Sequence, residues 1–255
     1  MNPVPSPAEP LLLREARDGV VTLTLNRPAQ FNALSDDLLE AMQQALDAVA
    51  EDAGARCVVL AGAGRAFCAG HDLREMRGRP QLAYYQALFA KCGQVMQRIQ
   101  SLPVPVLARV HGIATAAGCQ LVASCDLAIA AQSARFAVSG INVGLFCSTP
   151  AVALSRSVSA KRAFDMLVTG RFIDAATAAD WGLVNEAVPD AELDAAVARM
   201  TDQIAAKSPA AVRYGKQMFQ RQRQMALPEA YAYAGDVMAC NMMEDDAAEG
   251  IAAFL

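Results

Sequence analysis

Two apolar-rich runs, L-L-L-R-E-A and V-V-T-L-T-L-N, flank Asp18-Gly19 near the start of the chain. Asp-Gly favours the positive φ of a tight turn, so this stretch predicts a β-hairpin. Over residues 35–50 the apolar period becomes that of a helix, with Leu38, Leu39, Met42, Leu46 and Val49 in one stripe. Ser35 is its expected N-cap, and Asp36 and Asp37 suit the positive end of the helix dipole. C-V-V-L-A-G (57–62) is apolar throughout, the pattern of a buried strand. A helix over 80–101 is predicted to stop before Pro103. P-V-L-A-R-V-H-G-I-A (105–114) reads as the next strand, 117–124 as a short helix and 127–138 as two short strands. Alternating strands and helices predict an α/β core. After about residue 190 the strand signal ends and three helices are expected, the last two over about 208–225 and 228–243. This tail carries Met218, Met225, Tyr231, Tyr233, Met238 and Met242, which can pack on its own core or on another subunit.

The chain has 255 residues, 54% hydrophobic and 19% charged, with a formal net charge of −4. That length suits one large α/β domain or a domain with an extension. A mildly acidic chain without a basic run argues against nucleic acid as a partner. No apolar run reaches the ~18 residues of a membrane helix, so no membrane insertion is expected. The first ten residues, M-N-P-V-P-S-P-A-E-P, are Pro-rich and expected to be disordered. They resemble neither a secretory signal nor an Arg-rich organelle presequence. Seven cysteines lie scattered in apolar segments without a C-x-x-C pair, and we read them as reduced thiols. With 18 Arg against 4 Lys and abundant alanine, the expectation is a cytoplasmic protein of bacterial origin. His71 and His111 are the only histidines and carboxylates do not cluster, so no metal site is expected.

A-T-A-A-G-C-Q-L-V-A-S-C-D (114–126) poses the chemical question. It reads as a strand end, a turn of small residues and a helix. Small residues at such a turn mark a close approach to the backbone. The side chain just after the turn is Gln120, an uncharged amide where a carboxylate would do acid–base work.

Three segments occur in order: N-R-P-A-Q-F-N-A-L (26–34), R-A-F-C-A-G-H-D-L (65–73) and H-G-I-A-T-A-A-G-C-Q-L-V-A-S-C-D (111–126). Together they closely resemble the crotonase, or enoyl-CoA hydratase/isomerase, family. The likeness continues through A-R-F-A-V-S-G-I-N-V-G-L (134–145) and M-L-V-T-G-R-F-I-D-A-A-T-A-A-D-W-G-L-V-N-E-A-V (166–188), and covers about 20–255. The resemblance implies an α/β fold, a ClpP-like ββα spiral over 11–195 and a C-terminal helical trimerisation region over 196–255. It implies a homotrimer or dimer of trimers, a coenzyme A thioester as ligand, and no permanently bound cofactor. It also implies two backbone N–H groups that hold the thioester oxygen while the α-carbon becomes enolate-like. Fixed dipoles aimed at developing charge stabilise it without reorganisation. By motif position these donors are the N–H groups of His71 and Ala117. Ala117 stands where glycine is common, and a methyl group is tolerable there at negative φ in a first helical turn.

The resemblance places two glutamates beside the substrate double bond in the family's hydratases. Here the first position is Gln120 and the second, four residues after Phe136, is Gly140. Glutamine can hold a water but cannot exchange a proton near neutral pH. One acid–base group typically contributes ~10²–10⁴ in rate, so efficient hydration by the usual route is not expected. Possible substitutes are the Cys147 thiol, inert in apolar surroundings, and the His71 ring. Ser139 and Asn142 flank the position of Gly140 and suit a polar acyl group, and the small side chains at 139–142 hint at extra room beside the thioester. Tyr84, with Tyr85 and Phe89, is expected in the acyl-pocket wall. For coenzyme A, the resemblance assigns the Ala69 carbonyl to the adenine, and Arg74 and Arg27 to the phosphates. Asp72 and Asp126 read as backbone-bonding turn residues, and Glu75 as surface charge or a cap. Three readings stay open: an acyl-CoA enzyme with unconventional groups, an acyl-CoA-binding protein with little turnover, and a scaffold subunit.

Overall fold

Residues 9–255 of the chain are described by a computed structural model. The disorder expected over 1–10 falls largely outside the described residues. Pro10 is held, its carbonyl accepting from Asn26 Nδ2 at 2.9 Å.

The elements run β1 (Leu12–Arg17), β2 (Val20–Leu25), α1 (Asp36–Ala50), β3 (Cys57–Gly62), α2 (Leu73–Gly78), α3 (Leu82–Ser101) and β4 (Val106–Val110). They continue with β5 (Ile113–Thr115), α4 (Ala117–Ser124), β6 (Leu127–Ala131), β7 (Arg135–Ala137), α5 (Ser148–Ser157) and α6 (Ala160–Thr169). The chain closes with β8 (Ile173–Asp174), α7 (Ala175–Trp181), β9 (Glu186–Val188), α8 (Leu193–Ala205), α9 (Pro209–Gln222), α10 (Leu227–Met242) and α11 (Asp245–Phe254).

One sheet has the order β1-β2-β3-β4-β6-β9 and is antiparallel only at the β1–β2 hairpin. Asp18 and Gly19 both take positive φ there, 51° and 80°, which matches the twist of the paired strands. The second sheet is β5-β7-β8. Two further parallel bridges, Cys68 to Ala114 and Leu34 to His71, carry pairing towards the motif loops.

α1 forms as its pattern predicts. Ser35 Oγ accepts from Leu38 N at 3.2 Å, and all five stripe residues are buried. The strand expected over 105–114 is instead two strands in different sheets. Gly112 takes φ 61° between them, so the chain leaves the first sheet after Val110 and enters the second at Ile113.

The C-terminal part departs from expectation in two ways. α8 packs on the first sheet, with Leu193, Ala196 and Val197 in one cluster with Cys57, Val59, Leu107 and Ile129. A boundary at 195/196 would cut through this helix, so the core extends to its end. A fourth helix, α11, follows the three that were expected. α9 is bolted to the core by a buried cation. Lys216 Nζ donates to the carbonyls of Ile99 (2.9 Å) and Val104 (2.7 Å) and pairs with Asp126 Oδ2 at 2.7 Å. Asp126 also accepts from Val106 N at 2.7 Å, the backbone bond expected of it.

Candidate active site

The motif loops lie side by side. Cys68 N donates to Ile113 O at 3.1 Å, and Thr115 N donates to Cys68 O at 3.0 Å. Gly70, at φ 94°, abuts the next turn: a Cβ there would stand 2.9 Å from Ala116 Cβ and 3.2 Å from Ala117 N. Asn32 supports the first loop from below. It is fully buried at φ 55°, donates to the Ala63 and Ala66 carbonyls, and accepts from Arg27 N. Asparagine tolerates the left-handed region and satisfies such loops with its amide.

This arrangement leaves two N–H groups without a backbone acceptor among the described residues. Leu34 N donates to Gly70 O (2.8 Å), and Asp72 N donates to Leu34 O (3.1 Å). Leu34 thus pairs with the residues on either side of His71, and the His71 N–H points the opposite way. Ala117 opens α4, whose ladder begins with Gln120 N donating to Ala116 O at 3.0 Å. The Ala117 N–H is therefore one of the orphan donors of a helix start. Ala116, between strand and helix, takes φ 51° and ψ −119°, a conformation costly for any residue with a Cβ. Nothing in a run of alanines signals this strain.

Both residues line a cavity of about 440 Å³, walled by Met76, Phe89, Val143, Leu145, Phe146 and Pro150. Ala69, Ser139, Gly140 and Cys147 line it too, and no aspartate or glutamate does. Ser139 Oγ is already engaged with Thr115 Oγ1 at 2.8 Å. A larger cleft of about 590 Å³ lies between α4, α5 and α9 and carries none of the expected site residues.

Several expectations are corrected. Ser139 and Gly140 line the cavity, but the direction a Gly140 side chain would take is closed, because a Cβ there would meet Leu145 O at 2.6 Å and Cys147 Sγ at 2.8 Å. Asn142 turns away from the cavity, its Nδ2 reaching Gly170 O at 3.4 Å. Tyr84 does not line the cavity and lies with Tyr85 and under Arg79, while Phe89 one turn further along α3 forms the wall. Arg27 is committed internally. It pairs with Asp72 Oδ2 at 2.9 Å and donates to the Ala33 carbonyl. Burial alone would push the Asp72 carboxyl up, but Arg27 and the N–H groups of Glu75 and Arg74 outweigh it and hold the pKa below its usual value. Asp72 caps α2, and Glu75 accepts from Asp36 N at 3.1 Å, capping α1. Arg74 is exposed on α2.

The side chains beside the two N–H groups are neutral. The His71 ring stands edge-on to Phe89 at 5.4 Å, and burial pushes its pKa down to about 4. The Leu34 carbonyl opposes that shift slightly, but neither ring nitrogen has a partner in hydrogen-bonding geometry. Gln120 lies one helical turn from Ala117, buried, with Oε1 unpartnered. Burial raises the Cys147 thiol, which the Gly140 N–H only partly offsets.

Residues 15–255 match the enoyl-CoA hydratase/isomerase family. The chain belongs to the crotonase family. Within it, this chain is 41% identical over 246 residues to "enoyl-CoA hydratase domain-containing protein 3, mitochondrial" of Xenopus laevis, covering 96% of this chain and 84% of that protein. It superposes on the crystal structure of an enoyl-CoA hydratase from Mycobacterium smegmatis with a TM-score of 0.95, 60% identity and 96% coverage of both chains. The human domain-containing protein 3 structure gives a TM-score of 0.93 at 40% identity, covering 96% of this chain and 97% of that one. The Xenopus relative and its counterparts in Mus musculus, Rattus norvegicus, Danio rerio and Homo sapiens are all named as mitochondrial proteins. That overturns the cytoplasmic, bacterial expectation. Reduced thiols report a reducing compartment without saying which, and Arg over Lys usage follows coding bias. Crotonases act on CoA thioesters. Among the described residues no three His, Cys, Asp or Glu side chains gather to hold a metal, and no helix is long and apolar enough to cross a membrane.

Proposed function

We propose that this crotonase binds short acyl-CoA thioesters in the 440 Å³ cavity and hydrates ordinary enoyl-CoA esters poorly. The observation that carries the reading is the pair of unengaged N–H groups, His71 and Ala117, at the wall of a cavity lined by no carboxylate. The two donors suit a thioester oxygen, and the start of α4 favours the charge that oxygen acquires. With Gln120 and Gly140 at the glutamate positions, no group in the cavity wall exchanges a proton with water at neutral pH as a carboxylate pair would. Arg74 on α2 is an exposed cation available to the CoA phosphates, and Ala69 the backbone contact for the adenine. The exposed apolar residues of α10 and α11, including Tyr231, Met238, Met242 and Phe254, support assembly into a homotrimer or dimer of trimers. A second reading, a hydratase working through unconventional groups, is favoured by the activity named for the Mycobacterium smegmatis relative.

Calorimetric titration with butyryl-CoA tests the binding site. Val143 is a cavity-lining residue with 63% exposure, so a tryptophan there blocks the cavity without entering the core. Binding by the wild-type protein that is lost in Val143→Trp is the expected result. No binding, or binding unchanged by the block, would contradict it.

A further inference from the structure

The cleft of about 590 Å³ between α4, α5 and α9 shares no lining residue with the acyl cavity. Asp126 is the one carboxylate in its lining, and it is fully engaged. Its Oδ2 takes Val106 N and Lys216 Nζ, and its Oδ1 accepts from Gln220 Nε2 at 3.1 Å. Lys216 is closed as well, because Ile99 O, Val104 O and Asp126 take every donor of the ammonium. The cations left over are two arginines at the ends of α5 and α9. Arg223 Nη2 donates to the Arg156 carbonyl at 2.7 Å, and Arg156 Nη1 donates to Val152 O at 2.9 Å. A guanidinium has more donors than these bonds use. Among the described residues neither arginine is paired with a carboxylate, and both are exposed at the cleft. Asn185 adds a further donor, since its Oδ1 accepts from Ala128 N at 2.8 Å and leaves the NH₂ end over.

α9 turns Val212, Gly215, Phe219 and Arg223 to this cleft. Glycine weakens a helix interior, and its common use there is to let another backbone come close. Gly215 has no such neighbour, because a Cβ on it would meet nothing within 4 Å. Its effect is to hold the cleft open.

We propose that this cleft binds a small amphiphilic oxyanion, an apolar chain ended by a carboxylate or a phosphate. Arg156 and Arg223 take the head group, and Val122, Leu183, Val212 and Phe219 line the chain. The inference does not depend on the acyl-CoA reading. An oxyanion only accepts, which suits a rim whose donors are available and whose carboxylate is not. It also offsets two like charges brought to one rim, and the guanidinium fork matches carboxylate and phosphate alike. A cationic ligand would find no unengaged carboxylate, and an inorganic ion would leave the apolar wall uncovered.

The test is calorimetric titration of the full-length protein with octanoate, octyl phosphate, inorganic phosphate and 1-octanol. Three variants accompany the wild type. Val143→Trp blocks the acyl cavity. Gly215→Leu fills the cleft where there is room and puts a stronger helix former in α9, and thermal unfolding checks its fold. Arg156→Gln/Arg223→Gln removes the two charges. At least one octyl anion is expected to bind the wild type and Val143→Trp alike, and about tenfold or more weaker in the other two variants, the scale of a lost charge-assisted hydrogen bond. 1-Octanol and inorganic phosphate should bind the wild type more weakly by a similar factor. Octanoate binding tighter than octyl phosphate would support a carboxylate head group, and the reverse order a phosphate. No binding of either octyl anion, binding lost in Val143→Trp, or binding kept in folded Gly215→Leu would overturn the proposal. So would 1-octanol or inorganic phosphate matching the octyl anions.

Discussion

Gly140 and Cys147 face each other so closely that a Cβ on Gly140 would lie 2.8 Å from the Cys147 sulfur, with the Leu145 carbonyl at 2.6 Å on its other side. The direction a side chain at position 140 would take is thus occupied by neighbouring atoms. Gly140→Ala is expected to cost about 1–3 kcal/mol by overpacking. Cys147→Ala should recover part of that loss, since it removes the sulfur and leaves the backbone oxygen. A denaturant double-mutant cycle measures this coupling. Additive effects would show that the two sites do not touch.

Ala116 is the strained hinge that turns Ala117 towards the cavity. At φ 51° and ψ −119°, glycine carries no steric penalty. Ala116→Gly is expected to stabilise the protein by about 1 kcal/mol in urea unfolding. Ala116→Val should destabilise it by more than that and weaken butyryl-CoA binding, because the branched side chain forces the turn open. A destabilised glycine variant would mean that the alanine is not strained.

His71 makes stability depend on pH. Its folded-state pKa of about 4 lies below the ordinary 6.5. Between those values the unfolded chain binds a proton that the folded ring refuses, so stability falls as pH drops from 6.5 to 4, by up to about 3 kcal/mol. Unfolding measured at pH 7 and pH 4.5 should show a larger loss for the wild-type protein than for His71→Phe. Equal losses would show that the ring titrates normally in the fold.

Much of the architecture is legible from local pattern. The stripe of α1, its Ser35 cap and the Asp18-Gly19 turn need only nearest neighbours, and all three form as read. The break at Gly112 is different. It serves the passage between two sheets, which no local period announces. The same limit governs the site. Motif position brings His71, Ala117, Ser139 and Cys147 to one cavity. It does not say that Arg27 meets Asp72 across 45 positions. Nor does it show Asn142 turning to Gly170, or the Cys147 sulfur filling the space beside Gly140. Side-chain direction and backbone strain are set by tertiary packing.

The most direct test is hydration of crotonyl-CoA by the wild-type protein beside Gln120→Glu, each at saturating ester. Glutamate is isosteric with Gln120, so this substitution needs no added space, whereas a side chain on Gly140 would meet Cys147. The wild-type rate is expected near background, with a gain of about 10²-fold or more in the variant, the scale of one positioned acid–base group. A wild-type rate of 1–10³ per second, the typical enzyme range of about that order, would contradict it. Another group would then be moving the proton that this cavity is said to lack a carboxylate for.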